Sequence, residues 1–327
     1  MRPSATPSSA SDAQVARFAQ GLARLRGARG AGDSLGLAVS GGPDSLALLL
    51  LAHAALPGRV RAATVDHRLR AESAAECAFV AEICAGLGVP HAALPVTVAD
   101  GNVQSEARTA RYAALAGWAA EHGLGAVATA HHADDQAETL LARLNRASGV
   151  AGLAGVRAVG RIPGSSVALV RPLLDWRRAE LAEVVAAAGI TPVDDRSNSD
   201  LRFDRARLRL ALRGADWLDV AALAASAAHL AEADAALDWA TAREWTEQVS
   251  PGVMGSYVYR PQAPRAIALR VIARLVALLD GVEPRGRAVA RVFDALVAGQ
   301  PASIGALVAR PGAEGWSFSR APVRRSG

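Results

Sequence analysis

The sequence contains no lysine, so all 36 of its basic residues are arginines. A Walker phosphate-binding loop requires Gly-Lys-Ser/Thr and is therefore excluded. Cysteine is also scarce, because Cys77 and Cys84 are the only two in the chain. They lie seven residues apart in a stretch with a helical pattern, which favours core positions over a disulfide or a metal site. This usage fits a reducing, cytoplasmic location.

Long apolar runs are missing as well. No segment reaches the length of about 20 residues that a membrane-spanning helix needs, so no membrane partner is expected. Residues 1–12 are rich in Ser, Pro and Ala and have no apolar centre. This composition predicts a flexible tail rather than a signal peptide.

The overall composition describes a basic chain with a substantial core. Its 327 residues are 51% hydrophobic, with a net charge of +5 and an isoelectric point near 10.1. The length is sufficient for two domains. The positive charge favours a polyanionic partner, with nucleic acid ahead of an anionic membrane. A GC-rich genome is an alternative explanation for a chain rich in arginine and alanine.

Short apolar segments alternate with helical patterns through the first two thirds of the chain. We predict strands at 35–39, 59–65, 92–98 and 126–129 and helices at 13–26, 73–87, 105–122 and 177–188, with further helices after Pro43 and after the histidine pair. This alternation is typical of an α/β fold with a doubly wound parallel sheet. Beyond Gly214 we predict helices at 220–248, 265–279 and 285–298. The sequence thus predicts a catalytic domain at 13–214 and a smaller helical C-terminal domain at 215–327.

A glycine-rich turn follows the first predicted strand and opens a helix. It reads Ser40-Gly41-Gly42-Pro43-Asp44-Ser45, which is not the Gly-x-Gly-x-x-Gly pattern of dinucleotide sites. Two glycines, two hydroxyls and a helix N-terminus suit a phosphate or pyrophosphate. Asp44 would repel a phosphate unless a cation such as Mg²⁺ lies between them. The alternative is an ordinary strand–turn–helix corner capped by Ser40.

Two other predicted strands also end in polar clusters. Asp66-His67-Arg68 follows the second, where it can hold a nucleoside or form a solvated loop. His131, His132, Asp134, Asp135 and Glu138 follow the fourth. The acids of this segment can bind a metal near a phosphate or can complement the dipole of a helix N-terminus. Because ligands of such sheets gather at the carboxyl ends of the strands, we expect the three clusters to meet.

Arginines mark two candidate anion-binding stretches. Arg108 and Arg111 lie three apart on one predicted helix and can face one anion together. Five arginines lie among the twelve residues of 202–213: Arg202, Arg205, Arg207, Arg209 and Arg213. This density suits a nucleic-acid backbone, with Phe203 available for stacking. The alternative for either stretch is a solvated helix face.

Together these motifs resemble the tRNA(Ile)-lysidine synthetase family, a branch of the PP-loop ATP-pyrophosphatase superfamily. The resemblance covers about residues 36–213 and rests on seven segments in the family's order: Ser40–Ser45, Val65–Arg70, Glu106–Tyr112, Ala130–Thr139, Ser148–Leu153, Arg171–Leu174 and Asp194–Asn198. One departure stands out, because the family commonly has Arg-Asn-x-x-Arg where this chain has Arg205-Ala-Arg-Leu-Arg209.

The resemblance implies a two-step ligase that uses ATP and Mg²⁺. The wobble cytidine of a tRNA(Ile) with a CAU anticodon is adenylated with release of pyrophosphate, and free L-lysine then displaces AMP. The implied ATP-binding residues are Ser40, Gly41, Gly42, Pro43, Asp44, Ser45, Asp66 and His67. The implied metal ligands are Asp44 and Asp135, and the other implied catalytic residues are His131, Glu138 and Arg111. The implied tRNA contacts are Arg108, Arg202, Arg205, Arg207, Arg209 and the C-terminal domain.

The turn by itself leaves other functions open. Related enzymes of tRNA 2-thiolation rely on cysteines, typically Cys-x-x-Cys, and Cys77 and Cys84 have neither the spacing nor the position. A small-molecule ligase such as an NAD or GMP synthetase leaves the arginine tract unexplained. An RNA-binding module that keeps a nucleotide pocket without turnover is the non-enzymatic alternative. The resemblance allows a homodimer, for which the sequence has no signal.

Overall fold

A computed structural model describes residues 10–27, 34–68, 73–97, 103–193 and 204–321 of the chain. The predicted tRNA contact Arg202 and the segment 194–198 lie outside the described residues, as do the side chains of Arg205 and Arg213. The chain forms two compact units, Met1–Ala231 and Glu232–Gly327. The domain boundary proposed near Gly214 stays a prediction.

The first unit contains eight helices among its described residues, and a ninth begins in it. The helices are α1 (Asp12–Arg26), α2 (Pro43–Ala55), α3 (Ser73–Gly86), α4 (Val103–Glu121), α5 (Ala133–Leu144), α6 (Val150–Leu153), α7 (Arg178–Ala187), α8 (Asp204–Arg213) and α9 (Val220–Gln248). The strands are β1 (Leu35–Ala38), β2 (Val60–Asp66), β3 (His91–Pro95), β4 (Ala126–Ala128), β5 (Val159–Arg161) and β6 (Ala168–Val170). All four predicted strands and the helices between them are confirmed.

The six strands form one sheet in the order β3-β2-β1-β4-β6-β5. Every neighbouring pair is parallel except β5 with β6. The predicted doubly wound parallel sheet is therefore confirmed. The carboxyl ends of β1, β2, β4 and β6 lie at one edge, so the residues that follow them meet there. Strands β5 and β6 were not predicted, because each has only three residues. In addition, β5 contains a glycine and none of its three residues is buried.

Two apolar layers cover the faces of this sheet. On one face α2 is apolar all round and is almost completely buried, as is typical of a core helix. Leu48 and Leu49 of this helix have no exposed surface. On the other face Leu115 and Trp118 of α4 pack with Leu169. Burial of the strands on both faces explains their short, continuous apolar sequences.

The second unit contains a sheet that the sequence analysis missed. Its helices α10 (Arg265–Asp280) and α11 (Gly286–Val297) agree with the prediction. Its strands are β7 (Val249–Pro251), β8 (Tyr257–Tyr259), β9 (Ala302–Ile304), β10 (Leu307–Gly312) and β11 (Gly315–Arg320), antiparallel in the order β7-β8-β11-β10-β9. The purely helical prediction for this region is thus corrected. Strands of three to six residues interrupted by Gly and Pro are too short to produce a clear alternating pattern.

Helix α9 differs from the sequence-based expectation about long apolar segments. Among the described residues it is the one helix long and apolar enough to cross a membrane, judged by length and composition alone. Its hydropathy comes largely from alanine, and it carries acidic residues. One of them, Asp234, is buried and forms an ion pair with Arg270 of α10.

We expect Leu48→Ala to lower the free energy of unfolding by about 2–5 kcal/mol, because it removes three buried carbon atoms and leaves a cavity. Leu144→Ala is the matched control, since this leucine of α5 is 50% exposed and its truncation should change stability by less than about 0.5 kcal/mol. Urea unfolding followed by circular dichroism measures both. Equal losses for the two variants would contradict the assignment of α2 to the core.

Candidate active site

The glycine-rich turn forms at the end of β1 as predicted. Gly41 has a φ of +85°, a conformation that favours glycine. Its carbonyl oxygen accepts a hydrogen bond from the Val193 amide at 3.1 Å. Gly42 precedes the first helical residue, Pro43, and no side chain caps the N-terminus of α2. The amide groups of the first helical turn are therefore available to an anion.

Ser45 holds the turn in shape. Its hydroxyl accepts a hydrogen bond from the Ser40 amide at 3.1 Å and lies 3.2 Å from the Ser40 hydroxyl oxygen. It donates to the carbonyl oxygen of Gly42 at 3.0 Å. Because Ser45 is only 7% exposed, it acts mainly within the turn. Ser40 is exposed and is the serine better placed to meet a ligand.

The turn meets the segment after β4 through Asp44 and His132. The Oδ2 atom of Asp44 lies 3.3 Å from Nε2 of His132. The Oδ1 atom of Asp44 is buried and has no hydrogen-bond partner among the described residues. A buried carboxylate oxygen without a partner is costly unless a cation or a donor reaches it. This atom is the clearest sign that the site is built for a further group.

His132 is completely buried at the start of α5 and is surrounded by acids. In addition to Asp44, Oδ2 of Asp134 lies 3.6 Å from its Nδ1, and Oδ2 of Asp135 lies 3.6 Å from its Nε2. Burial acts to lower the pKa of His132, but the contacts with Asp134 and Asp44 and the charge of Asp135 outweigh it and raise the pKa to about 9. The imidazole is therefore a cation at neutral pH.

The central histidine is thus His132, whereas the sequence analysis selected His131. The side chain of His131 is only partly buried, and its Nδ1 lies 3.0 Å from the hydroxyl of Thr129. The available signal was the spacing of His132 and Asp135, three residues apart across the helix start. The main-chain amide of His132 donates to Asp135 at 3.1 Å, which fixes both side chains at the N-terminus of α5. The catalytic role given to His131 stays a prediction.

Asp134 connects α5 to α7. Its Oδ2 atom accepts from the main-chain amide of Arg178 at 2.8 Å and lies 3.3 Å from Nε of Arg177. Partial burial acts to raise the pKa of Asp134, but His132, the Arg178 amide and Arg177 together hold it well below its usual range. Asp134 therefore stays ionised and occupied by protein partners. Asp135 has fewer such contacts and is the more suitable acid for a ligand.

Glu138, one turn further along α5, pairs with the arginine tract. It is only 3% exposed, and its two oxygens accept from Nε and Nη2 of Arg209 at 2.8 and 3.3 Å. The Nη2 atom of Arg178 lies 3.7 Å from Oε1 of Glu138. Bidentate pairing of this kind fixes the geometry of both groups. The sequence analysis assigned Glu138 to catalysis and Arg209 to RNA binding, and both roles stay predictions.

A cavity of about 510 Å³ opens beside these charged pairs. Its wall combines acidic and basic side chains with apolar ones. The lining residues are Asp134, Glu138, Arg177, Arg178, Ala179, Ala182, Arg209, Leu212, Ala215, Asp216, Leu218 and Val220. A pocket with both signs of charge suits a small zwitterion.

The end of β2 contributes Asp66 and His67. The Oδ1 atom of Asp66 accepts from the main-chain amide of Arg68 at 2.9 Å, which closes a tight turn at a φ of +51° for Arg68. His67 has a pKa lowered first by burial and then by the charge of Arg111, with Asp66 acting in the opposite direction. The structure thus brings Arg111 of α4 near His67, at the same edge of the sheet as the turn.

The two other predicted tRNA contacts with described side chains lie on helices of this unit. Arg108 is exposed on α4, with its guanidinium carbon 4.9 Å from the ring centre of Tyr112. Arg207 is exposed on α8. Their contact with RNA stays a prediction.

The site fits a magnesium ion by the chemistry of its donors. Among the described residues no group of three His, Cys, Asp or Glu side chains is arranged to hold a metal. Mg²⁺ needs fewer, because it usually keeps several waters and binds one or two carboxylates together with substrate phosphates. Asp44 and Asp135 supply two carboxylates that face one nitrogen of His132, and Oδ1 of Asp44 has no other partner.

Gln136 is an important residue that the sequence analysis missed. Its side chain is 4% exposed and pairs with the main chain of Val156, accepting from the amide at 2.7 Å and donating to the carbonyl at 2.8 Å. Gly155 lies against it with a φ of +64°, and a Cβ there would come within 2.4 Å of the Gln136 Oε1 atom. The segment after α6 is therefore fastened to α5 between the candidate catalytic acids Asp135 and Glu138.

Comparisons with known proteins identify the family of this chain. A family model described as the PP-loop domain matches residues 14–215. A tRNA(Ile)-lysidine synthase of Novosphingobium aromaticivorans is 50% identical over 293 residues, which cover 89% of this chain and 90% of that protein. A tRNA(Ile)-lysidine synthase of Zymomonas mobilis is 41% identical over 296 residues, which cover 89% of each chain.

A solved structure supports the fold independently. The U34-tRNA thiolase NcsA from Methanococcus maripaludis, with its 4Fe-4S cluster, matches with a TM-score of 0.55. The match covers 67% of this chain and 78% of the thiolase at 15% sequence identity. At this identity the likeness concerns the fold alone.

We expect Gly155→Ala to lower the free energy of unfolding by about 1–3 kcal/mol, because the new Cβ strains the main chain and displaces Gln136 from two hydrogen bonds. Gly117→Ala is the control, since this exposed glycine of α4 has open space around it and alanine favours a helix by about 0.5–1 kcal/mol. Urea unfolding should show opposite shifts of the midpoint. A neutral Gly155→Ala would mean that Gln136 does not fasten this segment.

Proposed function

Because this chain belongs to the tRNA(Ile)-lysidine synthase family of PP-loop proteins, we propose that it joins free L-lysine to the wobble cytidine of a tRNA(Ile) with a CAU anticodon. In the first step the C2 oxygen of cytidine attacks the α-phosphorus of ATP, and the bond to the β-phosphate breaks with release of pyrophosphate. In the second step the side-chain amine of lysine attacks C2 and loses a proton, and AMP leaves.

The observation that carries this proposal is the junction of the glycine-rich turn with α5. The turn offers uncapped helix amides to the departing pyrophosphate, and Asp44 extends from it to His132 and thereby toward Asp135. Phosphate binding and acid–base groups thus meet at one edge of the sheet. A binding module would need the first feature but would not need the second.

Asp44 would hold Mg²⁺ in this reaction, and Asp135 would serve either as a second ligand of the ion or as an acid–base group. The ion supplies positive charge that offsets the polyphosphate near two carboxylates. His132 keeps the same carboxylates in place through its own charge, and Asp134 holds the imidazole from the opposite side. Arg111, near His67 at the edge of the sheet, is suited to stabilise negative charge that develops on phosphate.

The mixed-charge cavity beside α5 is the site that we assign to lysine. Arg177 and Arg178 can meet an α-carboxylate, and the acids of the wall give the cavity negative charge that attracts an ammonium group. The attacking amine must be neutral, so one acid near the reaction centre has to accept its proton. Asp135 is our candidate for that role, because Asp134 and Glu138 are already engaged with arginines.

The RNA partner is expected along the arginine-rich surface of the first unit and on the second unit. The net charge of +5 and the exposed Arg108 and Arg207 support contact with a phosphate backbone. A cytoplasmic location is part of the proposal, because tRNA, ATP and free lysine are all available there.

Thiolation, the activity in the name of the structural neighbour, is disfavoured by the cysteines of this chain. Cys84 is completely buried, and burial raises its pKa to about 11. Cys77 is also buried with a raised pKa. Thiols in this state are poor nucleophiles and poor cluster ligands.

The decisive test of the proposal is the release of pyrophosphate by the full chain. We expect release only when ATP, Mg²⁺ and a tRNA(Ile) transcript with a CAU anticodon are all present. Under the same conditions, added radioactive lysine should become attached to that transcript. Removal of the metal with EDTA should stop both. Pyrophosphate release without RNA would instead indicate a small-molecule ligase, and binding of RNA without turnover would indicate a binding module.

We expect Asp135→Ala to reduce lysine incorporation by at least about 100-fold, because an acid–base group contributes about 10²–10⁴-fold to rate. Its affinity for the tRNA transcript should stay within about threefold of wild type, since no RNA contact is assigned to it. Asp12→Ala, which changes an exposed acid of α1, controls for the loss of one charge. Retained incorporation by the Asp135 variant would exclude the assigned role.

A further inference from the structure

Arg171 is a buried cation for which the proposed mechanism has no use. It follows β6 directly and is only 7% exposed. Its Nη1 atom donates to the carbonyl oxygen of Arg157 at 2.6 Å. Its Nε atom is buried and has no hydrogen-bond partner among the described residues. Burying a charged donor without a partner lowers the stability of the fold unless an anion completes the site.

The neighbours of Arg171 add positive charge and do not neutralise its guanidinium group. Tyr112 of α4 contacts it through its hydroxyl, and Arg108 lies over the ring of the same tyrosine, 4.9 Å from its centre. Burial lowers the pKa of Arg171, the contact with Tyr112 opposes this, and the charge of Arg108 lowers it further. Among the described residues no carboxylate forms an ion pair with Arg171.

The surroundings of this pair are also basic. Arg111, one turn after Arg108 on α4, experiences the charge of Arg108 and itself acts on His67. The group begins at the carboxyl end of β6 and lies at the edge of the sheet where ligands of this fold gather. Two guanidinium groups, one buried and one exposed, are thus held near one tyrosine without a carboxylate partner for Arg171.

We propose that Arg171 and Arg108, joined through Tyr112, form a phosphate-binding site of the substrate complex. The phosphate is either a phosphodiester of the bound RNA or part of the ATP polyphosphate, and both have the charge and the oxygen acceptors that two guanidinium groups bind. Arg171 fixes the inner side through its free Nε donor, and Arg108 closes the outer side. This inference rests on the proposed function, since it concerns the substrates of that reaction.

The test measures binding without turnover in two separate arms. One arm measures the Kd of the tRNA(Ile) transcript without ATP at several NaCl concentrations, and the other measures the Kd of α,β-methylene ATP with Mg²⁺ and no RNA. Arg171→Gln and Arg108→Gln should each raise the Kd of one of the two ligands by about tenfold, which is the effect of one lost charge-assisted contact. Arg171→Lys should recover only part of the affinity, because it keeps the charge but lacks the Nε donor.

The two arms identify the source of the phosphate. A loss confined to the RNA arm, with a salt slope smaller by about one, assigns a phosphodiester. A loss confined to the ATP arm assigns the polyphosphate. Arg24→Gln on α1, an exposed arginine far along the chain from this group, should leave both affinities unchanged.

Two outcomes would overturn the proposal. The first is that both variants keep wild-type affinities in both arms while Arg171→Gln has a lower melting temperature. Arg171 would then have only a structural role, as a donor to the Arg157 carbonyl oxygen. If Arg171→Gln does not fold, Arg108→Gln still tests the proposal, because Arg108 is exposed and its replacement leaves the core intact. Wild-type affinities of Arg108→Gln for both ligands would then overturn the proposal. Both arms are independent of catalysis, so failure of the proposed ligase activity would appear separately as absent pyrophosphate release by the wild-type chain.

Discussion

A single buried histidine, His132, holds the candidate active site of this protein together. Asp44, Asp134 and Asp135 come from two separate segments, and without a cation between them three carboxylates would repel one another. His132 lies at contact distance from all three and is itself excluded from solvent. The histidine needs the acids to remain charged, and the acids need the histidine to remain close. The glycine-rich turn and the N-terminus of α5 are thereby joined at one point.

Much of the fold could be predicted from the sequence because its signals are local. Short windows of sequence are enough to recognise the continuous apolar run of α2, the first four strands of the sheet and the helices between them. The positions of the glycine-rich turn and the acidic segment after their strands then predicted their common edge of the sheet. The sequence relatives confirm the family. The sheet of the second unit was missed because its strands are short and interrupted by turns.

The details of the site depend on contacts between distant residues, which local patterns do not encode. His131 and His132 are adjacent and chemically identical, and only the direction of the main chain at the start of α5 places the second one among the acids. The pairing of Glu138 with Arg209 joins residues 71 positions apart. Gln136 resembles any polar helix residue until its contact with Val156 is seen.

The pairing of Arg209 with Glu138 also changes how the arginine tract should be counted. Successive residues of an α-helix point about 100° apart, so Arg207 and Arg209, two positions apart on α8, face different directions. Arg209 turns inward to a buried acid, whereas Arg207 is exposed to solvent. Part of the basic charge in this tract is therefore internal counter-charge, which holds α8 against α5. The number of RNA phosphates that α8 can neutralise is accordingly smaller than its number of arginines.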